Sequence, residues 1–479
     1  MILFLWMENV RKDIMYNKLN KKYGYLLDNI NGFPLDKHQR KVVFCDKQNI
    51  IVIAGAGSGK STTIIGKIKY LLNALNYKEA EILCISFTNE SVKSLKTALE
   101  KNNIFNIDVM TFHKLSLSIL NNQFKIIEAN YLEYIVNELM YGYDNNTKKL
   151  VMTIINLYKA QNLDYKVFYK IPKKYKEIVI LVLKILIEYE KEKKAIEAID
   201  FDDMINLATE KIKNNPYKYI IIDEYQDSSL IRVNLIKKLI KLNNAKLLVV
   251  GDDWQSIYRF SGCDINIFLN FKKYFKKIKT LKIINTYRNS QELINVASNF
   301  VMKNPYQIRK KLVSFKNNKK PIKIFYYKNN KSEALIKLIK NIDSKKDILI
   351  LGRNNFDIKQ YLGYKLTLDK DTIYLQNNPE YKIKYLTVHK SKGLESDEVV
   401  IINLSDELYG FPSQIKDAKI LKYFQTSKVT YKNDEERRLF YVALTRTKNN
   451  TYLLVNKKSP SIFIKELIKR YSKYIEFIF

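Results

Sequence analysis

IAGAGSGKST, Ile53 to Thr62, decides how the rest of this 479-residue chain is read. The apolar run that ends there, Ile50 to Ile53, has the composition of a strand buried on both faces. A turn follows, Ala54-Gly55-Ala56-Gly57-Ser58-Gly59, and then STTIIGKIKYLLNAL (Ser61 to Leu75), whose apolar residues recur at helical spacing. Strand, glycine-rich turn and helix in that order aim backbone N–H groups at a helix N-terminus, where an anion is stabilised. Lys60 is placed to reach the β- and γ-phosphates of a nucleotide and the Ser61 hydroxyl to ligate Mg²⁺, with Thr62 completing the loop. Ala54 stands where the usual pattern has its first glycine.

Working outward, the strand YIII (Tyr219 to Ile222) delivers Asp223 and Glu224 side by side. Two adjacent acids at a strand end are costly unless a cation sits nearby, and Mg²⁺–ATP supplies one. Asp223 is the candidate for Mg²⁺, through water, and Glu224 for orienting and activating the attacking water. Gln255 follows another strand end and carries an uncharged amide suited to sensing the γ-phosphate. Gln39, about twenty residues before the loop, can pair with N6 and N7 of adenine. Arg288 and Arg446 lie far down the chain, where a second lobe could bring them to the charge developing on the γ-phosphate. Tyr287, next to Arg288, could stack on the base.

Short apolar runs alternate with helical patterns twice over, so the expected fold is α/β, with two lobes built on parallel sheets. The first set includes Ile50 to Ile53, Ile82 to Ser86, Tyr219 to Asp223 and Leu247 to Asp252. The second is read as Thr280 to Asn285, Asp347 to Arg353, Lys384 to Lys390, Glu398 to Leu404 and Thr451 to Asn456. Residues 1–113 and 201–275 form the expected first lobe, 114–200 a Lys-rich, mostly helical insertion in it, and 276–479 the second lobe. No internal repeat and no Gly/Ser- or Pro-rich linker interrupts this.

Lys and Arg number 83 against 49 Asp and Glu, a formal charge of +34, which favours polyanionic partners through counterion release. Enrichment in Lys, Asn, Ile, Tyr and Phe together also has the pattern of a low-GC coding sequence, and the electrostatic consequence stands either way. The three cysteines have no CxxC spacing, which argues against a cysteine zinc site and structural disulfides and for a reducing compartment. MILFLW is too short for a signal h-region, and no run approaches the ~20 apolar residues of a spanning helix. The expected location is cytoplasmic, or nuclear or a viral factory for a eukaryotic or viral source. His38, His113 and His389 sit in separate loops without ligand spacing.

Three more stretches, CISFTNE (Cys84 to Glu90), VGDDWQSIYRFSG (Val250 to Gly262) and TVHKSKGLE (Thr387 to Glu395), mix aromatic, amide and basic side chains as a single-stranded nucleic-acid track requires. With FYVALTRTK (Phe440 to Lys448), the ordered series resembles superfamily 1A DNA helicases of the UvrD/Rep type. VGDDWQSIYRFSG and NPYQIRKKLVSF (Asn304 to Phe315) look most like the helicase IV branch. The resemblance runs from Phe33 to about Val455. It implies RecA-like P-loop lobes and ATP-driven 3′-to-5′ movement on single-stranded and partial-duplex DNA, in repair, recombination or replication. It further implies DNA contacts at Phe87, Thr88, Asn89, Thr111, Phe112, His113, Tyr258, Phe260, His389, Ser391 and Lys392, and a ribose contact at Glu395. Trp254 could pack or touch DNA.

Family members commonly carry a large accessory domain between the Tyr-Arg and TVHKSKG motifs. Only about a hundred residues separate Arg288 from Thr387 here, too few for that domain beside the second lobe. A strand-separating wedge is then expected from the insertion or from the loop Leu404 to Tyr431, the insertion being preferred. Rival readings are a single-stranded DNA translocase that does not separate strands and a catalytically silent DNA-binding scaffold. A helicase–nuclease is disfavoured because little chain follows the last motif.

Overall fold

The computed structural model describes residues 2–128, 130–415, 418–425, 431 and 433–478. Six parallel strands form the first sheet in the order Asp108–Thr111, Ile82–Ser86, Tyr219–Ile222, Lys246–Gly251, Asn49–Ile53, Ile278–Lys282. Every residue of NIIVI is buried because helices cover both faces. Helices Lys37–Phe44, Lys60–Leu75 and Asn89–Glu100 pack on one side, and Phe112–Ile119, Phe201–Lys211 and Leu230–Asn243 on the other. Since the strands run one way, the loops after Ile53, Ser86, Ile222 and Gly251 gather at one edge, where such folds place ligands.

The strand read from Thr280 to Asn285 as the opening of the second lobe belongs instead to the first sheet. Ile278–Lys282 pairs in register with the phosphate-loop strand, Ile51 opposite Thr280. Apolar periodicity identifies a strand and not its neighbour, and this one, half exposed at a sheet edge, carries little signal of its own.

The second sheet has eight strands, in the order Leu366–Asp369, Thr372–Leu375, Lys382–Thr387, Asp347–Gly352, Ser396–Ile401, Thr447–Asn456, Ile322–Tyr327, Ile475–Ile478. All pairs are parallel except those of the hairpin Leu366–Leu375 at one edge. Helices Gln291–Val301, Asp434–Leu444 and Ile462–Tyr471 pack on one face and Lys331–Lys340 on the other, a doubly wound arrangement again. Ala56, Trp254 and Ile257 of the first lobe join the second lobe's core, so the lobes meet through a shared apolar seam. Between Gly352 and Lys382, the described residues hold only the single turn Asp357–Gln360 and that hairpin.

Residues 114–200 are mostly helical. Helices Tyr131–Leu139, Asn145–Ala160 and Lys176–Ala195 pack round Ile135, Val136, Ile154, Ile155, Val182 and Ile185. At the base, Lys159 lies 2.6 Å from Asp200 and 3.0 Å from Asp203, and Lys193 lies 2.7 Å from Glu190. The core of this insertion is completed from the other lobe. Ile420, Leu421 and Phe424, all buried, belong to the segment between Phe411 and helix Asp434–Leu444, and the Phe424 ring lies 5.5 Å from that of Phe168. Each such side chain contributes about 1.5–3 kcal/mol on full burial. Among the described residues no helix is long and apolar enough to cross a membrane.

Lys67 ties the first helices together. Its ammonium, wholly buried, donates to the carbonyls of Val43 and Cys45, each at 2.8 Å, and lies 5.3 Å from the centre of the Tyr219 ring. Burial pulls its pKa down to about 8. The folded chain then binds fewer protons than the unfolded chain between about pH 8 and 10.5, so this group favours folding more as pH rises through that window. Urea unfolding of wild type and Lys67→Met at pH 7 and pH 10 should show wild type gaining about 3 kcal/mol relative to the variant. Parallel pH profiles would remove Lys67 as the cause.

Candidate nucleotide and nucleic-acid site

The turn after Asn49–Ile53 has the shape its glycines allow. Gly57 and Gly59 take positive φ, 67° and 71°, and a Cβ at either would lie 2.5 Å from a neighbour, Arg288 Cβ in one case and Gln39 Nε2 in the other. Ala54 causes no such conflict: its N–H donates to the Gly251 carbonyl at 3.0 Å and it is fully buried. The Ser58 hydroxyl is buried without a protein partner, while Ser61 stands exposed at the first turn of the helix. A cradle closed to side chains and an unpartnered buried hydroxyl fit a phosphate group, and the acids opposite fit its metal ion.

Those acids are Asp223 and Glu224. Burial pushes the Asp223 carboxyl up to about 6, and the charge of Glu224 adds to the rise. Burial acts on Glu224 too, but Lys60 and Lys392 outweigh it and hold this carboxyl at about 2. Lys60 Nζ sits 2.5 Å from Glu224 Oε1. Glu224 is also held at a positive φ of 50°, and its Oε2 accepts from Gln226 Nε2 at 2.6 Å. This backbone conformation is uncommon for a residue with a side chain and turns the carboxylate back towards the phosphate loop.

From the other lobe, Arg446 Nη2 donates to Gln255 Oε1 at 3.1 Å, and Gln255 Nε2 donates to Asp252 at 2.7 Å. Burial and the facing Arg288 pull the Arg446 guanidinium down to about 9. Arg288 donates to Glu395 at 2.8 Å. Glu395, expected at the ribose, is therefore placed beside an arginine of the cleft. Gln39 spans from the Asp36 backbone N–H, which donates to it, to the Ser58 carbonyl, which it reaches at 3.1 Å. Tyr287 donates to Asp36 at 2.6 Å and leaves its ring half exposed on the same wall.

The strand-track residues divide. Tyr258, Phe260 and His389 form one aromatic group, with Phe260 exposed and its ring 5.5 Å from that of His389. Phe87, Thr88 and Asn89 open helix Asn89–Glu100 at the same edge, where Thr88 accepts from Ser91 N–H. Phe112 is buried against Phe87, with Arg232 over both rings, so it packs the core. Thr111 is buried and caps the helix that follows. His113 lies against Phe201, and burial, then Arg232, bring it down to about 4. Ser391 is fully buried and donates to the Val388 carbonyl, which makes it part of the turn rather than of the loop's surface.

The Lys392 ammonium, expected at the DNA, has partners beyond the aromatic group. It contacts Asp227, donates to the Gln255 carbonyl at 2.7 Å and comes within 4.0 Å of Glu224. The same ammonium lies 5.0 Å from the centre of the Tyr258 ring, whose hydroxyl donates to the His389 carbonyl at 2.9 Å. One lysine of the second lobe thus touches the acids and the aromatic group together.

Sequence reasoning missed Gln226, Asp227 and Lys310. Gln226 positions Glu224 and also accepts from the Asp252 N–H at 2.9 Å. Lys310 pairs with Asp252 and Asp253 and donates to the Ala54 carbonyl at 3.1 Å. The signal was there, since five acids and two amides within DEYQD and GDDWQ need more cations than Lys60. Trp254 is buried, donates to the Ile308 carbonyl and packs on Tyr441.

If Lys392 serves the acids, Lys392→Ala should lower nucleic-acid-stimulated ATP turnover at least about tenfold while single-strand affinity changes less than about threefold. Turnover kinetics and fluorescence anisotropy with a labelled oligonucleotide separate the two. The reverse pattern would return Lys392 to the track.

Comparison with known proteins gives the family. The UvrD/REP helicase N-terminal domain matches residues 35–276, just over half of the chain. DNA helicase IV of Escherichia coli (strain K12) is 25% identical over 93% of this chain and 72% of its own length. ATP-dependent DNA helicase Rep of Buchnera aphidicola subsp. Acyrthosiphon pisum is 29% identical over 78% of this chain, and a probable DNA helicase II homolog of Mycoplasma capricolum is 28% identical over 69%. The chain spans 64% of that Rep protein and 50% of the helicase II homolog. With that match over half its residues, the chain belongs to the UvrD/REP helicase family.

Proposed function

We propose that this protein is an ATP-dependent DNA helicase that moves 3′ to 5′ along single-stranded DNA and opens duplex ahead of it, in repair, recombination or replication. The observation that carries the proposal is the contact chain from Lys60 through Glu224 and Lys392 to Tyr258 and His389. It joins the phosphate loop to stacking aromatics across the cleft between lobes, which is what a motor requires and a passive scaffold does not.

In this reading the phosphate loop and Lys60 hold the triphosphate, and Gln39 and Tyr287 hold the base. Ser61 and Asp223 would hold Mg²⁺, which when bound offsets the negative charge of the phosphate oxygens. Arrival of the γ-phosphate gives Lys60 a second anion to pair with. As Lys60 shifts towards it, Glu224 loses its strongest counter-charge while remaining buried, so its affinity for a proton rises and it becomes a better base for the attacking water. Arg446 reports through Gln255, and Arg288 from beside Glu395, so charge developing on the phosphate draws the second lobe inward. Tyr258, Phe260 and His389 move with that closure and accept any base by stacking. Insertion residues 114–200 serve as the wedge. The direction of movement rests on family resemblance.

Lys60→Ala and Glu224→Gln should each reduce ATP turnover at least about a hundredfold with single-strand affinity largely kept. Partial duplexes with either a 3′ or a 5′ tail, plus ATP, test unwinding and direction at once. Unwinding from the 5′ tail alone would reverse the polarity, and ATP turnover indifferent to DNA would sink the motor.

A further inference from the structure

The insertion branches from the first lobe, yet three side chains of its core come from the second. Ile420, Leu421 and Phe424 are 1%, 7% and 1% exposed, inside a cluster otherwise built from residues 127–198. Phe424 meets Phe168 at 5.5 Å between ring centres, and Ala418 and Tyr423 pack at the margin. The segment carrying them, Ala418 to Gln425, includes the one-turn helix Lys419–Tyr423 and leads towards helix Asp434–Leu444, whose far end carries the chain to Arg446. The element that brings an arginine to the nucleotide is thus continuous in sequence with one seated in the insertion.

A second bond runs alongside. Arg259, in the turn that bears Phe260, pairs with Glu435 of the same helix at 2.6 Å. Between the two attachments the described residues border a cavity of about 330 Å³, lined in part by Gln161, Arg259, Gln425, Tyr431 and Arg438. A densely packed core has low compressibility and transmits strain. The segment therefore grips the insertion through packed apolar side chains that can carry a pull.

We infer that Ala418 to Gln425 is a clasp by which the second lobe holds and moves the insertion, and that Leu421 and Phe424 are positioning residues for strand separation. The inference rests on the helicase reading above. Its logic is mechanical. ATP-driven closure moves the second lobe, and an insertion fixed only to the first lobe would stand still. Clasped by the second lobe, it is pulled at each closure, in a chain whose described residues hold only a turn and a hairpin between Gly352 and Lys382. The two segments considered as wedges from sequence, the insertion and the Leu404 to Tyr431 loop, then act as one body.

The test compares wild type, the double variant Leu421→Ser with Phe424→Ser, and Phe424→Leu, which keeps an apolar side chain at the tip. On a partial duplex with a 3′ tail, the double variant should unwind at least about tenfold more slowly while ATPase activity stimulated by single-stranded DNA stays within about threefold of wild type. Phe424→Leu should unwind within about threefold of wild type. Hydrogen exchange should rise in Tyr131–Leu139 and Lys176–Ala195 of the double variant and stay unchanged in both sheets. Unwinding at the wild-type rate in the double variant, equal loss of both activities, or unchanged exchange in the insertion overturns the clasp. Wild-type protein that turns over ATP on single strands but opens no duplex overturns the helicase reading and the clasp with it, and this shows before any substitution is made.

Discussion

Everything at the cleft depends on placing two adjacent carboxylates, the buried Asp223 and the largely covered Glu224, and supplying their counter-charge from both lobes. Lys60 arrives from the first lobe and Lys392 from the second, and neither alone touches all of the acids gathered there. An unpaired buried charge costs several kcal/mol, so the acids hold the lobes in contact through the lysine they share. The same arrangement makes the site sensitive to a third anion. A phosphate group competes for Lys60, and the balance of charge between the lobes changes with it.

Asp252 and Asp253 repeat the principle on a smaller scale. Both are fully buried, both pair with Lys310, and Lys310 also reaches the Ala54 carbonyl, so the segment after helix Gln291–Val301 is pinned to the back of the phosphate loop. The lobes are thus joined by an apolar seam at Ala56, Trp254 and Ile257 and by ion pairs on either side of it. Apolar contact is non-directional and tolerates small sliding, whereas the ion pairs fix discrete positions.

Much of this was legible in the sequence. The phosphate loop, the acid pair and Gln255 follow the ends of parallel strands, which place their carboxyl-end loops at one edge, whereas Arg446 lies in the turn between helix Asp434–Leu444 and strand Thr447–Asn456 and reaches Gln255 only through the packing of the two lobes. What was not legible depends on side-chain reach. The sequence places Lys392 in a basic loop, and only folding of that loop over Gln255 brings its ammonium to Asp227 while keeping it beside Tyr258. Ser391 and Phe112 sit in motifs that suit contact, yet each points inward, one to close a turn and one to fill the core. Strand Ile278–Lys282 and the seating of Phe424 are choices of partner, and periodicity is silent on partners.

Gly57 carries a consequence of another kind. A phosphate would need its backbone bare, yet the nearest atom to an added Cβ is Arg288 Cβ of the second lobe, at 2.5 Å, with Thr286 Oγ1 next at 3.0 Å. The absent methyl group is what lets the turn and Arg288 approach this closely. A side chain there would work as a doorstop, holding the arginine's backbone off while straining a turn already at positive φ. In the helicase reading proposed above, one residue of the fuel site would then also limit how far the machine can travel.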